Sequence, residues 1–115
     1  MLLGSTGCFR HKTILPTHGW MRAEGNATAK SLEGTVVDIH GTPREGVLVQ
    51  LLSPDKTFLI ASCQTDAQGR FRFRSRAGRV YLLRFALEGF NDLDLAVTTS
   101  AQAHQPLKIE LNISN

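Results

Sequence analysis

The stretch TDAQGRFRF, residues 65–73, holds the side chains with the clearest chemical potential. Asp66 and Gln68 stand two residues apart with Gly69 behind them, as oxygen ligands do at the start of a calcium loop. Calcium needs about 6–8 oxygens, and this segment offers two side chains. A carboxylate in that place can instead bond the backbone two residues on. Gly69 can supply the positive φ that a short hairpin loop demands. The segment therefore reads as a tight turn between two strands.

Arg70, Arg72 and Arg74 alternate with Phe71 and Phe73, and Arg76, Arg79 and Arg84 follow closely. On a strand, this alternation points the phenylalanines to one face and the arginines to the other. Such a ladder either binds an anionic partner or forms a solvated outer face that pairs across strands and discourages edge aggregation. From Leu32 onward nine basic residues face nine acidic ones, which favours the solvated face. Single-stranded nucleic acid wants exposed aromatic rings, and Phe71 and Phe73 point inward, so no nucleic-acid partner is expected. Sugars are usually held by flat aromatic faces, for which Phe58 and Phe90 are the available platforms. Any ligand surface is thus expected among Phe58, Phe90, Arg70, Arg72 and Arg74.

Two cysteines, Cys8 and Cys63, give neither a disulfide framework nor metal spacing. Cys63 reads as a small buried apolar side chain on a central strand. Cys8 closes LLGSTGC, which is similar to the end of a bacterial lipoprotein signal and marks Cys8 as a candidate lipidation residue. Ser5 departs from the usual leucine there, and the basic region and most of the apolar region are missing. His11, His18, His40 and His104 are scattered, and no nucleotide-binding or nucleophile-elbow motif occurs. No catalytic, cofactor or metal residues are therefore expected. No run approaches the roughly 18 apolar residues of a membrane span.

A chain of 115 residues fits one domain with a tail. Residues 1–31 carry no helical or alternating period and read as a leader and loosely ordered spacer. They hold Arg10, Lys12, Arg22 and Lys30 against Glu24, so the net +3 belongs to them. From residue 32 to 115, short apolar runs are punctuated by Gly, Pro, Asp and Asn, the pattern of an all-β sandwich or barrel. Period-2 alternation predicts seven strands, in LEGTVVD, VLVQLL, TFLIASCQT, RFRFR, RVYLLRFAL, NDLDLAV and LKIELNI. Short connections predict antiparallel pairing. The expected core is Val36, Val49, Leu51, Phe71, Phe73, Tyr81, Leu83, Phe85, Leu95, Ile109 and Leu111. Ile113 is placed inside as well, with Asp92 and Asp94 toward solvent.

The ordered series GTVVD, GTPREGVLVQL, TDAQGRFRF, AGRVYLLRF and EGF resembles the carboxypeptidase regulatory-like domain, a transthyretin-like β-sandwich. The resemblance covers Leu32 to about Ile113. It implies a seven-stranded antiparallel Greek-key sandwich of prealbumin type, without catalytic residues of its own. A related transthyretin-like hydrolase, 5-hydroxyisourate hydrolase, closes on a Tyr-Arg-Gly-Ser tail, whereas this chain ends LNISN. The resemblance implies a non-enzymatic accessory or interaction module of the bacterial cell envelope, with carbohydrate binding as the alternative. A protein or a cell-wall polysaccharide is then the expected partner. Membrane contact is expected only through a lipid at Cys8.

Overall fold

The structure, a computed structural model, describes residues 9–14 and 22–112, with side chains from residue 24 onward. Among the described residues there is no helix. The strands are β1 (Phe9–Ile14), β2 (Arg22–Ala29), β3 (Leu32–Val37), β4 (Leu48–Leu52), β5 (Phe58–Gln64), β6 (Arg70–Phe73), β7 (Val80–Ala86), β8 (Asp92–Thr99) and β9 (Leu107–Glu110). They form a six-stranded sheet, ordered β1-β5-β4-β7-β8-β2, and a three-stranded sheet, ordered β6-β3-β9. The all-β sandwich expected from the alternation is what the chain adopts.

Alternation decides the core because successive side chains on a strand leave opposite faces. Val49, Leu51, Ala61, Cys63, Leu83, Phe85, Leu95 and Val97 from the large sheet meet Leu32, Val36, Phe71, Phe73, Leu107 and Ile109 from the small one. Phe71 and Phe85 join the two layers edge to face, with ring centroids 5.3 Å apart. Every expected core residue is buried except Tyr81, which is half-buried. Its hydroxyl accepts the Arg76 backbone N–H at 2.9 Å, so the polar tip is held at the surface while the ring packs against the core. Ile113 lies outside the described residues.

Nine strands are present among the described residues, not seven. The two extra ones fall in residues 9–14 and 22–29, which the sequence reading gives to the leader. RAEGNATA does alternate, but its apolar positions hold only Ala and Gly, and FRHKTI holds Phe9, Thr13 and Ile14 without a period of two. Neither carries the large apolar alternation that announces a buried strand. They are the two edges of the large sheet, and β2 adds only the small side chains of Ala27 and Ala29 to the core. β2 pairs with β8 over eight residues, from Arg22↔Asp92 to Ala29↔Thr99. That pairing and β3–β9 are parallel, against the expectation of antiparallel pairing throughout. The partners are far apart in sequence, so the long intervening chain meets the crossover requirement that short connections cannot.

Two glycines are required by close approach. A side chain on Gly34 would collide with the backbone carbonyl of Leu107 across the β3–β9 pair. Gly69 has φ of +76° and would place a Cβ 2.6 Å from the Val36 carbonyl oxygen. Its turn is tied by Asp66, whose Oδ1 accepts the N–H groups of Gln68 and Arg70, each at 2.9 Å. The hairpin reading of TDAQGR holds.

Asp94 corrects a second expectation. Alternation turns it from the core, yet it is only 5% exposed. Arg84, directly opposite on β7, clamps it with Nε to Oδ1 at 2.8 Å and a second guanidinium N–H to Oδ2 at 3.1 Å. Lys56, in the turn before β5, reaches Oδ2 at 3.3 Å and also Glu24 on β2 at 3.3 Å. Burial alone pushes the Asp94 carboxyl up. The hydrogen bonds and charge of Arg84, then of Lys56, outweigh burial and hold it below the ordinary 3.8.

Two outcomes are expected. Phe85→Ala empties a fully buried site that Phe71 packs against, and should lower the unfolding free energy in urea by about 3–5 kcal/mol. For Asp94, a lowered folded pKa means stabilisation fully present above the ordinary carboxylate value and lost as pH falls through the lowered one. Urea unfolding should therefore show stability dropping below about pH 4. Asp94→Asn should remove that part of the pH dependence and cost about 3–5 kcal/mol at neutral pH, because Arg84 is left without its counter-charge.

Candidate functional site

The arginine-rich segment continues past β6 into the connection to β7, where Arg74, Arg76 and Arg79 follow Arg72. What fixes this connection is Thr99, only 1% exposed at the end of β8. Its hydroxyl donates to the Arg76 carbonyl at 2.5 Å and accepts the Arg79 N–H at 3.1 Å. Its backbone accepts the Gly78 N–H and donates to the Arg79 carbonyl, both at 2.8 Å. The Arg76 N–H is taken by Tyr81. One buried threonine thus holds the backbone that presents two arginines.

These arginines border a cleft of about 810 Å³ between the edge of the three-stranded sheet and the β4, β5 and β7 strands of the larger one. Leu51, Ile60, Phe73 and Tyr81 supply its apolar lining. Arg72, Arg74, Arg76 and Arg79 supply charge, against Glu33 as the acidic residue of the lining. Arg72 lies 3.8 Å from Glu33 in a solvent-exposed pair that contributes little to stability. Among the described residues no carboxylate pairs with Arg74, Arg76 or Arg79. The other arginines of the sandwich have partners: Arg44 with Asp38 at 3.0 Å, Arg70 with Asp66 at 3.6 Å, and Arg84 with Asp94.

The five residues expected at a ligand surface are not brought together. Arg72 and Arg74 border the cleft, whereas Arg70 turns to the hairpin, with Gln68 Oε1 3.4 Å from its guanidinium. Phe58 and Phe90 are not brought together. Phe58 sits near the level of Leu52 and Leu82, while Phe90 follows Ala86, which pairs with Leu48 at the other end of the sheet. The Arg44 guanidinium covers the Phe90 ring at 5.2 Å, so that face is already occupied. Arg76 and Arg79, part of the arginine ladder but outside the expected ligand surface, and Tyr81, expected only in the core, also line the cleft. The available signal was a block of six arginines from Arg70 to Arg84 with no acidic residue between Asp66 and Glu88.

Cys63 is buried on β5 as expected, but it is disulfide-bonded rather than a free thiol. The sequence contains one other cysteine, Cys8, whose assignment as a lipidation residue lies outside the described residues. His40 and His104 are exposed and stand apart in the sequence. Among the described residues no three His, Cys, Asp or Glu side chains gather as metal ligands, and no helix is long and apolar enough to cross a membrane.

The family model of the carboxypeptidase regulatory-like domain matches residues 31–112, which run from Ser31 at the cleft border to the end of the described chain. Members of this family are non-catalytic domains. None of the curated proteins matches the chain.

The Thr99 ties give the expected outcome for this site. Thr99→Val keeps the shape but leaves the Arg79 N–H and Arg76 carbonyl without their partner. Urea denaturation should show a loss of about 1–3 kcal/mol, and amide hydrogen exchange at Gly78 and Arg79 should accelerate while the β3–β9 pairing stays protected.

Proposed function

The chain belongs to the carboxypeptidase regulatory-like family, and on that premise we propose that it is a non-catalytic accessory or interaction module of the bacterial cell envelope. The observation that carries the reading is the family match across residues 31–112, which takes in both sheets except β1 and β2. A rigid sandwich with a charged cleft at its edge suits recognition of a partner better than chemistry upon one. The titratable groups with lowered pKa that are buried, Asp38 and Asp94, are clamped by Arg44 and Arg84 and so are spent on structure.

The disulfide at Cys63 supports the envelope as compartment. Such bonds persist in oxidising surroundings, including the periplasm and cell surface, and are rare where thiols are kept reduced. The candidate lipid anchor at Cys8 lies outside the described residues, and the envelope assignment stands with or without it.

Fusion of the chain with its native upstream region to alkaline phosphatase, active only where its own disulfides form, tests the compartment. Activity is the expected result, and a fusion active only in a strain with an oxidising cytoplasm would overturn it. Cys63 of the exported protein should resist alkylation until the protein is reduced. Peptide and ureide substrates should be left uncleaved by the purified chain, and measurable turnover would end the non-catalytic reading.

A further inference from the structure

The body of the protein is electrically balanced, nine basic residues against nine acidic from residue 32 onward, yet the fold does not spread the balance evenly. Four of those nine basic residues border one cleft, with one of the nine acidic residues beside them. We propose that this cleft is the binding site for an oligosaccharide carrying carboxylate or sulfate groups. The assignment rests on the non-catalytic binding role proposed above and names the ligand that role would serve.

Charge is the first argument. Arg74, Arg76 and Arg79 have no carboxylate partner among the described residues, so the fold does not consume them as it consumes Arg44, Arg70 and Arg84. Like charges crowded on one rim repel, and an anion relieves that repulsion. The planar fork of each guanidinium fits the paired oxygens of a carboxylate or sulfate. The rim is also built before the ligand arrives. Thr99 and Tyr81 together hold the 76–79 backbone, which lowers the ordering cost of binding.

Shape and polarity narrow the ligand class. A cleft of about 810 Å³ is of the size that accepts a small organic molecule or a few units of a chain. Ile60 and the half-buried ring of Tyr81 give it an apolar wall, against which the C–H face of a sugar ring can lie with its polar groups toward the arginines. The Tyr81 oxygen accepts one hydrogen bond and retains its own O–H to donate.

Two other polyanions fit worse. Single-stranded nucleic acid wants a series of exposed rings on which successive bases stack. The cleft offers only the half-buried Tyr81, since Phe71 and Phe73 of the arginine ladder are 5% and 6% exposed. An acidic peptide adding as a strand needs unpaired backbone groups on its host. Along residues 76–79, the Arg76 N–H and carbonyl, the Gly78 N–H and both Arg79 groups are already bonded to Tyr81 or Thr99, so recognition there falls to side chains, as it does for a charged sugar. β6 pairs with β3 on one side, and strand addition along its outer side is the outcome that hexaglutamate tests.

Titration calorimetry of the purified full chain at low salt tests the proposal, with trigalacturonate and a sulfated disaccharide as probes, and maltotriose and hexaglutamate as controls. Saturable binding of at least one acidic sugar and none of maltotriose is expected. The double variant Arg76→Gln/Arg79→Gln should weaken it by about tenfold or more, while Arg70→Gln should leave it within about twofold because Arg70 is held by Asp66. Arg74→Gln, outside the Thr99 ties, repeats the test should the double variant fold poorly. Amide shift changes should gather on residues 72–81. Absence of binding to both acidic sugars, a loss shared equally by Arg70→Gln, or tighter binding of hexaglutamate would overturn the cleft assignment and leave the accessory role intact. Cleavage of a bound sugar would have the opposite effect, sparing the cleft and ending the non-catalytic role.

Discussion

The sandwich depends on the meeting of β3 and β9, which lie some seventy residues apart in the chain. Backbone pairing from Gly34↔Leu107 to Val37↔Glu110 brings the two ends of the matched domain side by side. β6 then closes the other flank of β3, from Leu32↔Phe73 to Thr35↔Arg70. Only with both neighbours in place does the small sheet become wide enough to cover the apolar face of the large one. Leu32, Val36, Phe71, Phe73, Leu107 and Ile109 all reach the core through this three-stranded layer. A glycine at position 34 is what allows the backbones to come that close. The pairing is long-range, so its loop-closure cost is offset only when the core forms, which couples the two layers into one cooperative unit.

The arginines divide by what the fold asks of them. Arg84 lies directly across from Asp94 on neighbouring strands, and both are largely buried, so their pairing is a condition for packing β2 and the turn around Lys56 against that face. Arg44 is anchored at the other end of the sheet by Asp38 and lies over Phe90. Arg70 belongs to the hairpin of Asp66. Among the described residues Arg74, Arg76 and Arg79 pair with no carboxylate, and with Arg72 they border the cleft. Within the block from Arg70 to Arg84, an arginine is bound into the fold where its own turn or the strand opposite supplies an acid close by.

Alternation and turn chemistry are local, and they made most of this protein legible. Val36, Val49, Leu83 and Phe85 could be placed in the core because a period of two fixes a side chain's face without reference to its partner. Asp66 and Gly69 could be read as a hairpin because the bonds that make the turn lie within five residues. Tyr81 is half-buried rather than in the core, because its hydroxyl is held at the surface by the Arg76 N–H, a partner beyond the alternating segment.

The sequence by itself therefore determined the β-class, seven strands of the sandwich, nearly all of its core and its principal turn. Tertiary structure alone decided which strands are neighbours and which charges meet. It set β2 parallel to β8, buried Asp94 beneath Arg84 and Lys56, put Cys63 in a disulfide and laid the 76–79 backbone on Thr99. Net charge summed over the body averaged away four arginines that the fold gathers at one cleft. The physical reason is common to all of these: the face of a residue follows from its own strand, but its partner is set by pairings between segments distant in the chain, and no local pattern encodes them.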